Sequence, residues 1–200
     1  MKAGIAVLAC VALFGLAACQ PQSPTAQFVA TDITDAGLGG GFTLVDHSGR
    51  TVTLADFRGK AVAMFFGYTH CPDVCPTTLS DFAEAMRQLG PDAARVQVIF
   101  VSVDPQRDTP ELLAQFVPAF DPSFLGAHAP GDELARLAKS FRVVYQKTAV
   151  KGPDDYLIDH SAGTYVFDPQ GRLRLLMPYG SSPSAIVQDL RTLLAASAPH

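Results

Sequence analysis

Ala61-Val62-Ala63-Met64-Phe65-Phe66-Gly67-Tyr68 runs directly into Thr69-His70-Cys71-Pro72-Asp73-Val74-Cys75-Pro76. The first part is an unbroken apolar run, the pattern of a strand buried on both faces of a sheet. Pro76 would clash with the carbonyl four residues back in a helix interior, and it disfavours helical geometry at Cys75. A helix therefore starts at about Pro76, with the proline in its first turn. It continues as an apolar stripe of Leu79, Phe82, Ala83, Met86 and Leu89. This reading places Cys71 and Cys75 on the loop between a buried strand and a helix. Open α/β sheets carry their sites there, at the carboxyl ends of strands. Cys75 also meets the positive end of the helix dipole, which favours thiolate.

Outward from this stretch, strand and helix signals alternate. Phe42–Val45 and Thr51–Leu54 flank the turn Asp46-His47-Ser48-Gly49 and read as an N-terminal hairpin. Val96–Val103 is a second buried strand. Thr109-Pro110-Glu111 opens a helix with a capping hydroxyl, a first-turn proline and an early acid. Asp132–Phe141 is another helix. Gly163–Phe167 and Leu173–Met177 flank Asp168-Pro169-Gln170-Gly171 as a second hairpin, and Ser184–Ala196 closes the chain as an amphipathic helix. The alternation predicts an α/β domain with a central mixed sheet flanked by helices. No internal repeat or low-complexity stretch interrupts it.

The chain begins Met1-Lys2 and continues as a short apolar run to Ala18, with Leu16-Ala17-Ala18-Cys19 at its end. One positive charge, a short apolar core and small residues before a cut site are the marks of a secretory signal, too short for a convincing membrane span. The last four residues resemble a bacterial lipobox, in which the cysteine is acylated and becomes the new N-terminus. The expected organisation is a lipoprotein signal peptide over 1–18, a flexible tether over 19–41 and a domain over 42–200, with Cys19 lipidated. The chain is then held on the periplasmic side of a bacterial membrane. Residues 20–41 hold Pro21, Pro24, Gly37 and the triplet Gly39-Gly40-Gly41 with little apolar periodicity, as a tether would. Cleavage removes Cys10 and Lys2 and shifts the formal net charge of −4 to −5. Without a basic run or stripe, nucleic-acid binding has no electrostatic support.

Cys71 and Cys75 are then the free thiols of a protein in an oxidising compartment. Three readings compete for them: a structural disulfide, a catalytic thiol–disulfide exchanger, and a metal site. A disulfide closing so small a loop restricts the unfolded chain little. A metal site needs further ligands, and the chain offers five histidines. His47 sits in a turn, His200 is terminal, and His128 ends an apolar stretch. His70 neighbours Cys71, and adjacent side chains in an extended segment point opposite ways. His160 lies in Asp159-His160-Ser161-Ala162-Gly163, just before a predicted strand. Taken by itself it reads as an ordinary surface loop residue. Beside the cysteine loop it would complete a soft set of two thiolates and one imidazole, which suits copper.

Three segments resemble the Sco/SenC family of copper-binding proteins. They are Gly67-Tyr68-Thr69-His70-Cys71-Pro72-Asp73-Val74-Cys75-Pro76, then Ser102-Val103-Asp104-Pro105 with Asp108-Thr109-Pro110, then Asp159-His160-Ser161. They fall in order with suitable spacing, and the resemblance covers about Phe42 to Leu194. It implies a thioredoxin-like fold. It also implies copper, as Cu(I) or Cu(II), held by Cys71, Cys75 and His160, with Cys71 and Cys75 able to act as a redox-active dithiol. The implied role is building the binuclear copper centre of cytochrome c oxidase. The implied partners are the oxidase's copper-accepting subunit and other periplasmic copper chaperones. The alternative is a periplasmic thiol–disulfide oxidoreductase of the thioredoxin type. Against it, three residues rather than two separate the cysteines, and no proline stands between Pro153 and Pro169 to supply the usual cis-proline. A peroxiredoxin-like peroxidase would carry a threonine three residues before its attacking cysteine, where Tyr68 and Pro72 stand here.

Overall fold

The computed structural model describes residues 27–152 and 155–196. The signal segment 1–18, Cys19, the first part of the expected tether and His200 lie outside the described residues. In chain order the elements are β1 (Thr31–Asp32), β2 (Thr43–Asp46), β3 (Thr51–Thr53), β4 (Ala61–Gly67) and α1 (Val74–Leu89). Next come β5 (Val96–Ser102), α2 (Pro110–Phe116), β6 (Leu125–His128) and α3 (Glu133–Phe141). The chain ends with β7 (Tyr145–Gly152), β8 (Asp155–His160), β9 (Thr164–Phe167), β10 (Leu173–Met177) and α4 (Pro183–Ala196).

Eight strands form one sheet in the order β1-β10-β9-β4-β5-β6-β2-β3. The β4–β5 and β5–β6 pairs are parallel and the rest antiparallel, so the sheet is mixed as expected. Every residue of β4 and β5 is buried, which is why β4 reads as an uninterrupted apolar run and β5 as one broken only by Gln97 and Ser102. Consecutive side chains on β4 serve opposite faces. Phe65 packs edge-on against Phe100, which meets Phe116 of α2. Phe66 packs against Phe141 of α3 and Tyr165 of β9. Helices therefore cover both faces. Thr109 caps α2, its hydroxyl accepting from the Leu112 amide at 3.2 Å.

The two hairpin turns share one device. Asp46 accepts from the amides of Ser48 and Arg50, and Asp168 from those of Gln170 and Arg172; each also accepts from its arginine's Nε. Burial of Asp46 would raise its pKa, yet the hydrogen bonds from Ser48 and Arg50 outweigh it and hold the carboxyl at about 2.

Three features differ from the sequence reading. β6 is a short Leu-Gly-Ala-His strand without β-branched residues, so nothing in its composition announces it. β7 and β8 form a two-stranded ribbon separate from the main sheet. β7 is polar; with β8 as its one neighbour and residues 146–150 exposed, it needs no apolar run. The tether expected over 19–41 does not persist through its second half. Thr31 and Asp32 pair with Leu176 and Leu175, Ile33 is buried, and the Gly39 amide donates to the Ser140 carbonyl at 2.9 Å. The domain thus starts before Phe42. The fastening point is Asp189 on α4, 1% exposed, whose carboxylate accepts from the Val29 amide at 2.7 Å and the Ala30 amide at 2.8 Å.

A buried carboxylate with two backbone donors gives a direct expectation. Asp189→Ala leaves both amides without their acceptor, and should cost about 1–3 kcal/mol in denaturant unfolding. Hydrogen exchange should quicken at Val29, Ala30 and β1 before it quickens in β4. Unchanged protection there would show that Asp189 does not hold this segment.

Candidate metal centre

β4 ends at Gly67, and the segment from Tyr68 to Asp73 turns the chain into α1, with the Cys71 amide donating to the Tyr68 carbonyl at 3.2 Å. The helix begins at Val74, so Cys75 sits inside its first turn rather than on the preceding loop, which corrects the sequence reading. Pro76 is tolerated behind it because first-turn amides have no helical acceptor in any case. The Cys75 amide instead donates to Cys71 Sγ at 3.5 Å. Cys71 is half-buried and Cys75 has no exposed surface; both are free thiols.

Gly67 leaves room for that sulfur. A Cβ at this position would lie 2.9 Å from Cys75 Sγ, 2.7 Å from Phe100 Cε2 and 3.0 Å from Phe65 Cε1. Any larger residue at the end of β4 would compete with the thiol for the same space.

His160 comes from the other direction. It is the last residue of β8, paired with Tyr145, and not an open loop residue. Its Nε2 is 3.4 Å from Cys75 Sγ, and its Nδ1 is 3.1 Å from the Ser161 carbonyl oxygen. A carbonyl only accepts, so Nδ1 carries the hydrogen and Nε2 turns its lone pair toward the sulfurs. The imidazole is set edge-on to the rings of Tyr68 and Phe65, with centroids 5.8 Å and 6.1 Å away. Donor atoms of Cys71, Cys75 and His160 all lie within 4.8 Å of one another, and these three are the one such group among the described residues.

Burial dominates the electrostatics. It pushes the Cys75 thiol well above its usual range, with the Tyr68 amide opposing and Cys71 adding to the rise. The helix dipole expected to favour thiolate at Cys75 is outweighed. Burial also lowers the His160 pKa, against the Ser161 carbonyl and the Asp159 charge, so the imidazole is neutral at pH 7. The resulting donor set is soft: two sulfurs and a neutral nitrogen with a fixed tautomer. A thiophilic metal of low coordination number fits it.

The other histidines stay outside. His70 is exposed and turns its Nδ1 to the Thr69 hydroxyl at 3.0 Å. His47 accepts the Gly126 amide at 3.1 Å, and His128 lies in β6.

The sequence reading assigned no role to a set of residues that brace the centre. Asp108, 2% exposed, accepts the Thr69 amide at 3.1 Å, the Thr69 hydroxyl at 2.6 Å and the Ser102 hydroxyl at 2.6 Å. Asp104, fully buried, accepts the Tyr156 hydroxyl at 2.8 Å and the Arg107 Nε. One short segment after β5 thus holds both the cysteine loop, through Thr69, and the ribbon bearing His160, through Tyr156. The available signal was two acids just beyond a buried strand, at the sheet edge where the cysteines also lie.

Comparison with known proteins follows the same outline. The family model described as SCO1/SenC matches residues 30–195. The mitochondrial protein SCO2 homolog of Bos taurus is 38% identical over 159 residues, which cover 78% of this chain and 60% of the relative. The structure of Bradyrhizobium japonicum ScoI with copper bound superposes at a TM-score of 0.72 with 40% identity, over 78% of this chain and 99% of that one. Apo Sco1 from Thermus thermophilus superposes at 0.74 with 41% identity, over 86% of this chain and 99% of that one.

Gly67→Ala tests the packing behind the sulfur. The added methyl group has no free space, so overpacking should cost about 1–3 kcal/mol in thermal or denaturant unfolding. The Cys75 thiol, forced outward, should react faster with a thiol reagent in the folded state. A variant with wild-type stability and thiol kinetics would mean that the pocket yields freely.

Proposed function

This chain belongs to the SCO1/SenC family, and on that premise we propose that it is a membrane-tethered copper chaperone serving the binuclear copper site of cytochrome c oxidase. The observation that carries the reading is the meeting of Cys71, Cys75 and His160 within 4.8 Å. The copper bound in the Bradyrhizobium japonicum relative supports it. Copper here is cargo, taken up and passed on. Two thiolates satisfy the cuprous ion, and the imidazole completes a set that the cupric ion accepts.

The electrostatics suit a carrier. Metal uptake must displace the thiol protons. A bare thiolate at Cys75 is disfavoured by burial, but a metal-bound sulfur is not an isolated buried charge. Cys75 therefore stays protonated until metal arrives, and His160 binds without losing a proton because Nε2 is already bare. Half-buried Cys71 is the more accessible sulfur and the natural point of entry and transfer.

Oxidation joining Cys71 to Cys75 removes both thiolates and with them the site. The same pair can reduce a partner's disulfide. The Cys71 thiolate attacks one partner sulfur, and Cys75 then displaces the partner from the mixed disulfide. The Cys71–Cys75 disulfide forms, the partner's disulfide becomes two thiols, and two electrons pass. In this reading the protein is anchored through acylated Cys19 on the periplasmic side of a membrane, and receives copper from other periplasmic carriers.

A copper titration of reduced wild type, oxidised wild type and His160→Ala tests the site. Reduced protein should take one copper per chain with thiolate-to-copper charge-transfer bands, and oxidised protein none. His160→Ala should lose about 100-fold or more in cupric affinity, since even partners outside the ligand shell cost 10–100-fold. It should keep most cuprous binding. Because at least one thiol proton leaves on binding, the apparent affinity should rise by about tenfold or more per pH unit near neutrality. Equal uptake by oxidised and reduced protein, or unaltered cupric binding by the variant, would refute the assignment.

The anchor is tested separately. Intact-mass analysis of protein extracted from membranes should find residues 1–18 missing and Cys19 acylated. An unmodified Cys19 thiol would overturn that part of the proposal.

A further inference from the structure

The ribbon that carries His160 shares no strand ladder with the main sheet: β7 pairs only with β8. The β7–β8 ladder therefore does not set the distance from His160 to the cysteines; that falls to the short link from His160 to Thr164 of β9, which pairs with β4, and to contacts between ribbon and domain. Tyr156 and Ile158 alternate with exposed residues along β8 and bury their side chains on the same face of the strand as His160. Apolar burial alone is non-directional and fixes no register. Beside the hydrogen bond between the Ile158 backbone and the Tyr68 side chain, the directional contacts gather on Arg107, which follows β5 and belongs to neither the ribbon nor the cysteine loop.

The Arg107 guanidinium lies on the face of the Tyr156 ring, 3.6 Å from its centroid. Its Nη1 donates to the Tyr156 backbone carbonyl at 2.9 Å, and its Nε donates to Asp104 Oδ2. Asp104 Oδ1 in turn accepts the Tyr156 hydroxyl at 2.8 Å. Ring, backbone and hydroxyl of one ribbon residue are thus tied to two neighbouring residues of the domain. The same guanidinium stands 5.8 Å from the centroid of Tyr68, whose ring is set against the His160 imidazole. Arg107 Nη2 is buried without a hydrogen-bond acceptor, so the guanidinium has been placed for its stacking and its two other donors. Lys147 adds one exposed contact to Gln106.

We propose that Arg107 is a positioning residue for the metal centre: it clamps Tyr156, locks the β7–β8 ribbon to the segment that braces the cysteine loop, and so holds His160 Nε2 at the sulfurs. This rests on the copper reading above. The planar fork is essential, because stacking on the ring while donating along two edges is beyond an ammonium group. Loss of the clamp leaves a site of two cysteines with the imidazole no longer held against them. Such a site suits cuprous ion and serves cupric ion poorly.

The test is a double-mutant cycle on the full mature chain, using Arg107→Gln, Arg107→Lys and His160→Ala, with copper ions as probe. In the wild-type background Arg107→Gln should lower cupric affinity by about tenfold or more, the scale for a partner that orients a ligand. In the His160→Ala background it should change cupric affinity by no more than about twofold, as residues acting through one contact are not additive. Cuprous affinity should hold within about twofold in every member. Arg107→Lys keeps charge and stem, folds more readily, and should resemble Arg107→Gln. Equal losses in both backgrounds, or full rescue by lysine, would overturn the proposal. Proton NMR on metal-free protein separates this from the copper reading itself. Cross-relaxation between the His160 and Tyr68 rings should vanish in Arg107→Gln while that between Phe66 and Tyr165 persists. If wild type binds no cupric ion, the copper reading falls, and the NMR result alone decides whether Arg107 positions His160.

Discussion

Cys75 has no accessible surface, and its sulfur fills the space that a side chain on Gly67 would occupy. Much of the centre follows from that one packing constraint. The sulfur must lie at the end of β4, so the helix must begin at once, and Cys75 falls in its first turn with Pro76 behind it. Burial makes the isolated thiolate unfavourable, whatever the helix dipole contributes. The same enclosure brings the imidazole of His160 to 3.4 Å and keeps it neutral. A sulfur so enclosed holds its proton until a soft metal exchanges for it. Half-buried Cys71 connects it to the outside.

Rigidity around the sulfurs comes from two buried acids rather than from the sheet. Asp108 gathers the amide and hydroxyl of Thr69, and Asp104 reaches Tyr156 in the ribbon. Buried carboxylates are costly unless their oxygens are satisfied, and satisfied ones give directional, charge-assisted bonds. The cysteine loop and the histidine strand lie 85 residues apart in the chain between Cys75 and His160. A single segment after β5 joins them. Sheet and hydrophobic core supply stability, and this polar bridge supplies the geometry of the centre.

Much of the architecture was legible because its signals are local. β4 and β5, buried on both faces, are apolar apart from Gln97 and Ser102, whose polar atoms are hydrogen-bonded. The Asp-x-x-Gly-Arg turns at Asp46 and Asp168 announce their hairpins, and Thr109 and Pro110 mark a helix start. What escaped lacks such signals. β6 is short and without β-branched residues. β7 is polar because its residues 146–150 are exposed on both faces of the ribbon. β1 lies in a stretch that reads as linker, and is a strand only because the edge of β10 and the carboxylate of Asp189 wait for it.

By itself the sequence determined the α/β class, the strand–loop–helix setting of Cys71 and Cys75, and the resemblance that named His160 beside them. These rest on periodicity, proline stereochemistry and motif spacing, all written in neighbouring residues. Only the tertiary structure decided that Cys75 is a buried thiol rather than a dipole-activated thiolate, since desolvation depends on what packs around the sulfur. Only the tertiary structure gave Asp104, Arg107 and Asp108 their work, because their partners Tyr156 and Thr69 are distant in the chain. Hydrogen bonds between such residues obey distance and direction in space, which no spacing along the sequence records.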